Sequence, residues 1–282
     1  MQKRAIAIHD ISCVGRCSLT VALPILSAAG INTAVIPTAL LSTHTGEFSG
    51  YTHLDLSDQL LPIAAHIETL GLHFDAFYSG YLASAEQVRL VLQVVDMLCD
   101  QQTHIFVDPA FADHGKLYSH MGDDMPAQMR RLCSRAHTIV PNFTEASFLL
   151  ERPYQATGYG EDYVQALAAE LAALGPECVV ITDVRIRDGQ TGIAVYRKAS
   201  REFRLFFKPK FDDIFYGTGD TFASFLIASV LSGQPLMLAA QTALDCTNQA
   251  IQLTLDEGEP LRYGVQFERV LPTLIEALQK HK

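Results

Sequence analysis

The sequence predicts an α/β fold, a doubly wound and mostly parallel central sheet with helices on both faces. Short runs of β-branched and aromatic residues alternate with longer stretches whose apolar residues recur every three or four positions. The short runs are nearly all apolar, as strands covered on both faces must be. No Pro/Ser-rich linker, charge run or internal repeat divides the 282 residues, so a single domain over 1–282 is expected.

The strands expected in this order are Ala5 to Ile8, Thr33 to Ile36, Ala76 to Tyr78, His104 to Val107, Thr138 to Val140 and Cys178 to Thr182. Between them, helical spacing covers 18–29, 57–71, 84–101, 122–135, 143–151 and 161–174; Val88, Val91, Leu92 and Val95 show it most clearly. Strand, helix, strand in regular succession calls for parallel pairing. The pattern then changes: Gly192 to Arg197 and Glu202 to Phe207 read as an antiparallel pair. Three helices, 219–232, 235–254 and 266–280, are expected to close the chain.

Composition excludes several partners. Twenty-one Lys and Arg against 31 Asp and Glu give a net charge of −10, so no basic surface advertises nucleic acid. No apolar run reaches the length of a membrane span, and no membrane partner is expected. The basic start followed by Ala5 to Ile8 reads as a buried strand and not a signal peptide. The six cysteines form no C-x-x-C or zinc spacing, and Cys13 and Cys17, four apart, read as packing; a reducing cytoplasm is the expected compartment.

In an open α/β sheet the ligand crevice lies beyond the carboxyl ends of the strands. The residues expected there are Asp10 and Ser12, Ser42 to Gly46, Ser79 to Tyr81, Asp108, Asn142 to Glu145, and Thr182 with Asp183. Toward the same end, Gly217-Thr218-Gly219-Asp220 opens the apolar helix at 219. Its glycines let backbone N–H groups face a ligand without a Cβ in the way, and a helix N-terminus favours phosphate or developing negative charge. The motif is neither a Walker A loop, which needs Gly-Lys-Ser/Thr, nor a dinucleotide fingerprint, since no glycine stands at 222. Phosphoryl transfer needs a base near the attacking hydroxyl, donors around the transferred group and a metal held by acids. Asp220 suits the first role, the amides from Gly217 to Asp220 the second, and Asp108 and Glu145, acting on magnesium through water, the third.

Together with Asp108-Pro109, Pro141-Asn142-x-x-Glu145, Ser79-Gly80-Tyr81-Leu82 and Ser42-Thr43-His44-Thr45-Gly46, this motif resembles the ribokinase-like superfamily and, within it, the pyridoxal/pyridoxamine kinases. The resemblance spans residues 5 to about 250. It implies ATP as co-substrate, Mg2+, a monovalent cation such as K+, a pyridoxal-type vitamer as substrate and a homodimer. It also implies that Asp220 is the general base on the 5′-hydroxymethyl group and that Gly217, Thr218 and Gly219 build the anion hole. Thr45 and Gly46 match the substrate-contacting position, with Asp10 and Ser12 beside them, and Tyr81 packs against the pyridine ring. Asp108, Asn142, Glu145, Thr182 and Asp183 fall where the family meets ATP and metal, and Tyr118 looks like the tyrosine of the loop that covers the phosphates. Asp10 departs from the serine common in this family; an acid there pairs with the ring nitrogen or with a substrate amine.

Three other readings compete. Hydroxymethylpyrimidine kinases phosphorylate a similar group, but often carry cysteine in place of the motif's aspartate. Sugar kinases of the superfamily bring a larger lid, for which residues 9–52 read as too short and too apolar. A non-catalytic nucleotide-binding homologue would have lost Asp220. Elsewhere, His44 reads more simply as a satisfied loop residue than as a proton carrier, and His9 as buried and hydrogen-bonded. Lys208 to Asp213 reads as a solvated connector, while the resemblance implies a wall over the adenine from which Lys208 or Lys210 approaches the phosphates.

Overall fold

The computed structural model describes residues 2–280. Its centre is a nine-stranded sheet in the order β11-β10-β9-β8-β5-β4-β1-β2-β3. The strands are β1 (Arg4–Val14), β2 (Asn32–Thr43), β3 (His53–Asp55), β4 (Ala76–Ser79), β5 (His104–Val107), β8 (Thr138–Ile139), β9 (Cys178–Val184), β10 (Gln190–Arg197) and β11 (Glu202–Pro209). The run from β2 through β1, β4, β5 and β8 to β9 is parallel, while β3, β10 and β11 join antiparallel at the two edges. A separate hairpin, β6 (Ala112–Asp113) with β7 (Lys116–Leu117), forms a flap after β5.

Side chains alternate across each strand, and the sheet therefore feeds two cores. Ile6, Ile8, Phe77, Ile105, Val107, Val179 and Ile181 face α2 (Ser57–Thr69), α3 (Ala85–Leu98), α4 (Met125–Ser134), α5 (Phe143–Leu149) and α6 (Glu161–Ala173). Their neighbours Ala5, Ala76, Tyr78, Phe106 and Val180 face α1 (Leu19–Ala28), α7 (Thr218–Leu231), α8 (Leu236–Glu257) and α9 (Leu271–Gln279). The predicted fold class, the parallel order and the antiparallel pair at Gly192 to Arg197 are all present.

The differences have local causes. β1 and β2 run six and seven residues beyond their expected ends at Ile8 and Ile36, because Ile11 to Val14 pair with Leu40 to Thr43 past a bulge after His9. Asp10, Ser12 and Ser42 therefore sit on strands and not on loops after them. Within residues 9–52, Ile11 to Val14 and Leu40 to Thr43 extend this corner of the sheet while α1 packs beneath it, and the exposed edge strand β3 borders it. β3, β6 and β7 are too short to show a period. The last expected helix divides into a 3-10 turn at Phe267–Val270 and α9, which restarts around Pro272, a residue suited to a helix's first turn.

The corner is fastened to α3 by one buried amide. Gln87 accepts from Ala83 N–H at 2.8 Å and donates to the Thr38 carbonyl at 3.0 Å and to Ser57 Oγ at 3.2 Å. Gln87→Leu keeps the volume but orphans those groups, and should lower stability by about 2 kcal/mol. The expected result is a lower urea midpoint at an unchanged denaturant slope.

Candidate functional site

The site forms where the glycine turn meets the end of β1. Gly217 caps α7 at φ 68°, and a Cβ there would lie 1.9 Å from the Arg16 carbonyl oxygen, so both the backbone angle and the close approach demand glycine. The Gly217 carbonyl accepts from Thr221 N–H at 2.9 Å and from Thr221 Oγ at 2.7 Å, which closes the first turn. The amides of Thr218, Gly219 and Asp220 are the helix's first N–H groups and find no partner among the described residues.

Asp220 projects from that turn. Its Oδ2 accepts from the Ser18 N–H at 2.9 Å, and its Oδ1 lies 4.0 Å from His9 Nδ1. Burial raises the carboxyl to about 7, against a smaller lowering by the Ser18 hydrogen bond, while Asp10 pushes it further up. Asp108 follows β5 directly, and its carboxylate accepts no hydrogen bond from the described residues. A Cβ on Gly219 would stand 3.9 Å from Asp108 Oδ2, so the open face of the glycine turn looks toward this acid. Burial and then the Asp220 charge hold Asp108 well above the usual carboxylate range.

Glu145 and Asn142 are placed by a capping box at the start of α5. Asn142 Oδ1 accepts from Glu145 N–H at 2.9 Å, and Glu145 Oε2 accepts from Asn142 N–H at 2.8 Å. Glu145 Oε1 accepts from Phe111 N–H at 3.1 Å, and Asn142 Nδ2 donates to the Ala112 carbonyl at 2.8 Å, so the pair anchors the flap. Burial, then Asp108, raise Glu145, and its three backbone donors lower it by less. Tyr118, just past the flap, has Glu145, Asp113, Asp108 and Asp220 for electrostatic neighbours, and burial with those acids lifts its phenol far up.

Thr182 and Asp183 stand at the end of β9, beside the start of α5. Thr182 pairs with Asn142 through a parallel bridge, and Asp183, at φ 59°, accepts from Arg185 Nε at 2.7 Å. Burial raises Asp183 and Arg185 opposes it. Lys208 is held by Asp245 of α8 at 2.6 Å and Lys210 by Asp212 at 3.0 Å, so both expected phosphate-seeking lysines are paired elsewhere.

The expected substrate side lies along β1 and β2. Asp10 is buried, accepts from Ser18 Oγ at 2.5 Å and from Ser12 Oγ at 3.4 Å, and is pushed up chiefly by burial. Thr45 is exposed at the rim, and Gly46 is covered by the Tyr216 ring, which a Cβ would meet at 2.2 Å. His44 Nδ1 accepts from Gly46 N–H at 3.1 Å, so the proton sits on Nε2, which donates to the Arg262 carbonyl at 2.5 Å. His44 is therefore a satisfied loop residue. Tyr81 reaches across to His120 beyond the flap, hydroxyl to Nε2.

His9 corrects the expectation made for it: it is buried, but neither ring nitrogen has a partner among the described residues. Sequence reasoning also missed Ser18, whose N–H holds Asp220 and whose hydroxyl holds Asp10, and Arg16, against which Gly217 packs. Their contacts with the glycine turn carry no local signal, since Asp220 and Gly217 lie about 200 residues away in the chain.

The sequence matches the family model described as phosphomethylpyrimidine kinase over residues 23–263. A pyridoxine/pyridoxal/pyridoxamine kinase from Bordetella avium is 29% identical over 259 residues, 85% of this chain and 81% of that protein. The pyridoxal kinase from Lactobacillus plantarum superposes with a TM-score of 0.90 at 31% identity, covering 100% of this chain and 99% of its own. A Bacteroides thetaiotaomicron structure described as a phosphomethylpyrimidine kinase, determined with pyridoxal, gives 0.93 at 34% identity over 97% of this chain and 96% of its own. With its glycine turn, its partly buried aspartate and these relatives, the chain belongs to the family of phosphomethylpyrimidine and pyridoxal kinases in the ribokinase-like superfamily.

Proposed function

We propose that this kinase transfers the γ-phosphoryl group of ATP to the 5′-hydroxymethyl group of pyridoxal, pyridoxamine or pyridoxine. One observation carries the reading: Asp220, a partly buried carboxylate raised to about 7, stands in the first turn of a helix whose leading amides have no partner among the described residues. A base works best when its pKa matches the working pH. Asp220 takes the proton from the attacking hydroxyl, while the amides of Thr218, Gly219 and Asp220 receive the charge on the phosphoryl oxygens. One such donor contributes about 3 kcal/mol to a transition state.

Asp108 fits a divalent cation, because a buried carboxylate without a hydrogen-bond donor needs a counter-charge. Glu145, already accepting from backbone donors on both oxygens, reaches a metal through water. Magnesium, when bound, would neutralise the phosphates and draw the leaving group's charge. Asp10, Ser12, Thr45, Gly46 and Tyr81 form the substrate side in this reading. Tyr118 and the flap held by Asn142 and Glu145 cover the phosphates, and Thr182 and Asp183 lie toward the nucleotide. The K+ and homodimer assignments rest on the family resemblance. A reducing compartment such as the cytoplasm suits six unpaired cysteines, and no helix of the described residues is long and apolar enough to cross a membrane.

The family model's description, a phosphomethylpyrimidine kinase, is consistent with a second reading in which the ring is a pyrimidine and the acceptor is hydroxymethylpyrimidine. A Mg-ATP assay against the three vitamers, hydroxymethylpyrimidine, ribose and adenosine separates the two. Turnover of a vitamer is expected; product from hydroxymethylpyrimidine alone would move the assignment. Asp220→Asn should fold with wild-type circular dichroism and lose about a hundred- to ten-thousand-fold in kcat. Only the unprotonated Asp220 accepts a proton, so kcat/KM should rise with pH through about 7 and fall about tenfold per unit well below it. A profile flat from pH 5.5 to 8.5 would contradict the assignment of the base.

A further inference from the structure

His9 is a polar residue of the site with no role in the proposed reaction. Its imidazole is fully buried on β1, and both ring nitrogens lack partners among the described residues. A buried donor or acceptor left unpaired costs about 1 to 3 kcal/mol, and such exceptions concentrate where function requires them. Burial depresses its pKa to about 3, so the ring is neutral, with one N–H donor and one acceptor.

The surroundings aim this ring. Its Nδ1 lies 4.0 Å from Oδ1 of Asp220, while Ser18 holds the other carboxylate oxygen. The Tyr78 ring meets it edge-on, with centroids 4.3 Å apart. At Gly80 a Cβ would stand 2.2 Å from His9 Cε1 and 2.3 Å from Nδ1, so the backbone opposite is kept bare to admit the imidazole. The register of β1 against β2 shifts immediately after His9, and bulges beside active sites serve to re-aim side chains.

We propose that His9 is a positioning residue for Asp220, its neutral imidazole donating an Nδ1–H hydrogen bond to Asp220 Oδ1 in the reacting complex. The present separation exceeds hydrogen-bond length, and catalytic hydrogen bonds commonly tighten only when substrates are bound. With Ser18 N–H on Oδ2 and His9 on Oδ1, both oxygens of the base are oriented. His9 itself, having no exposed surface, touches no substrate. The inference rests on the reading of Asp220 as the base.

The test is a mutant cycle with the full-length enzyme and its best vitamer. His9→Leu should lower kcat about ten- to hundredfold, the loss usual for a group that orients a functional residue from behind, with KM for both substrates within about threefold. In an Asp220→Asn background the same substitution should change kcat less than about twofold, because there is no base left to orient. His9→Asn, which places an amide donor near the Nδ1 position, should recover most of the loss. Turnover of His9→Leu within twofold of wild type, or an equal loss in both backgrounds, would overturn the proposal. If His9→Leu does not fold, His9→Asn is compared with His9→Gln, whose amide lies at the Nε2 position; equal kcat values for the two then overturn it. Near-wild-type turnover by Asp220→Asn alone removes the base reading and this inference together, an outcome distinct from failure of the His9 arms.

Discussion

One residue ties the two halves of the site together. Ser18 donates its backbone N–H to Asp220 and its hydroxyl to Asp10, at 2.9 and 2.5 Å. It stands before α1 with φ 56° and ψ −128°, a conformation that costs a non-glycine residue about 1 to 3 kcal/mol. Two hydrogen bonds to carboxylates, each contributing about 1.5 to 3 kcal/mol, offset that strain. The strained turn brings Arg16 against Gly217, and so the start of α1 and the start of α7 share one geometry. Loosening Ser18 would release the base, the neighbouring acid and the glycine turn at once.

The net charge of −10 has a local meaning in this frame. Burial raises Asp108, Asp220 and Glu145 above the usual carboxylate range, and a neighbouring acid adds to each: Asp220 to Asp108, Asp108 to Glu145, and Asp10 to Asp220. The unsatisfied amides at the head of α7 and a cation beside Asp108 would counter that charge, which a surface lysine does not, since Lys208 and Lys210 are paired away. Acids thus sit where they must change protonation or gain a counter-ion. The same exchange of charge with bound groups is what phosphoryl transfer asks of a protein.

Much of the fold was legible because it rests on local periodicity. The strands at Ala5, Ala76, His104 and Cys178 and the helix over 85–98 carry their period within a few residues. The edge strand β3 and the flap β6–β7, two or three residues long, carry none. In the site, Gly217-Thr218-Gly219-Asp220 was legible because only glycine tolerates the turn. Asn142-x-x-Glu145 was legible as a motif, but the capping box shows that its side chains also hold the flap. His9 was misjudged because the sequence cannot show whether a buried nitrogen meets a partner.

By itself the amino-acid sequence determined the alternation of strands and helices, the glycine turn and the acids at the strand ends, all of which depend on residue type and spacing along the chain. Only the tertiary structure decided which acids share an environment, that Ser18 bridges two of them, and that His9 faces Asp220 unpaired. The physical reason is distance: Ser18 and Asp220 are 202 positions apart in the chain and 2.9 Å apart in space. Hydrogen bonds and desolvation act across the second separation, and no pattern in the first encodes them.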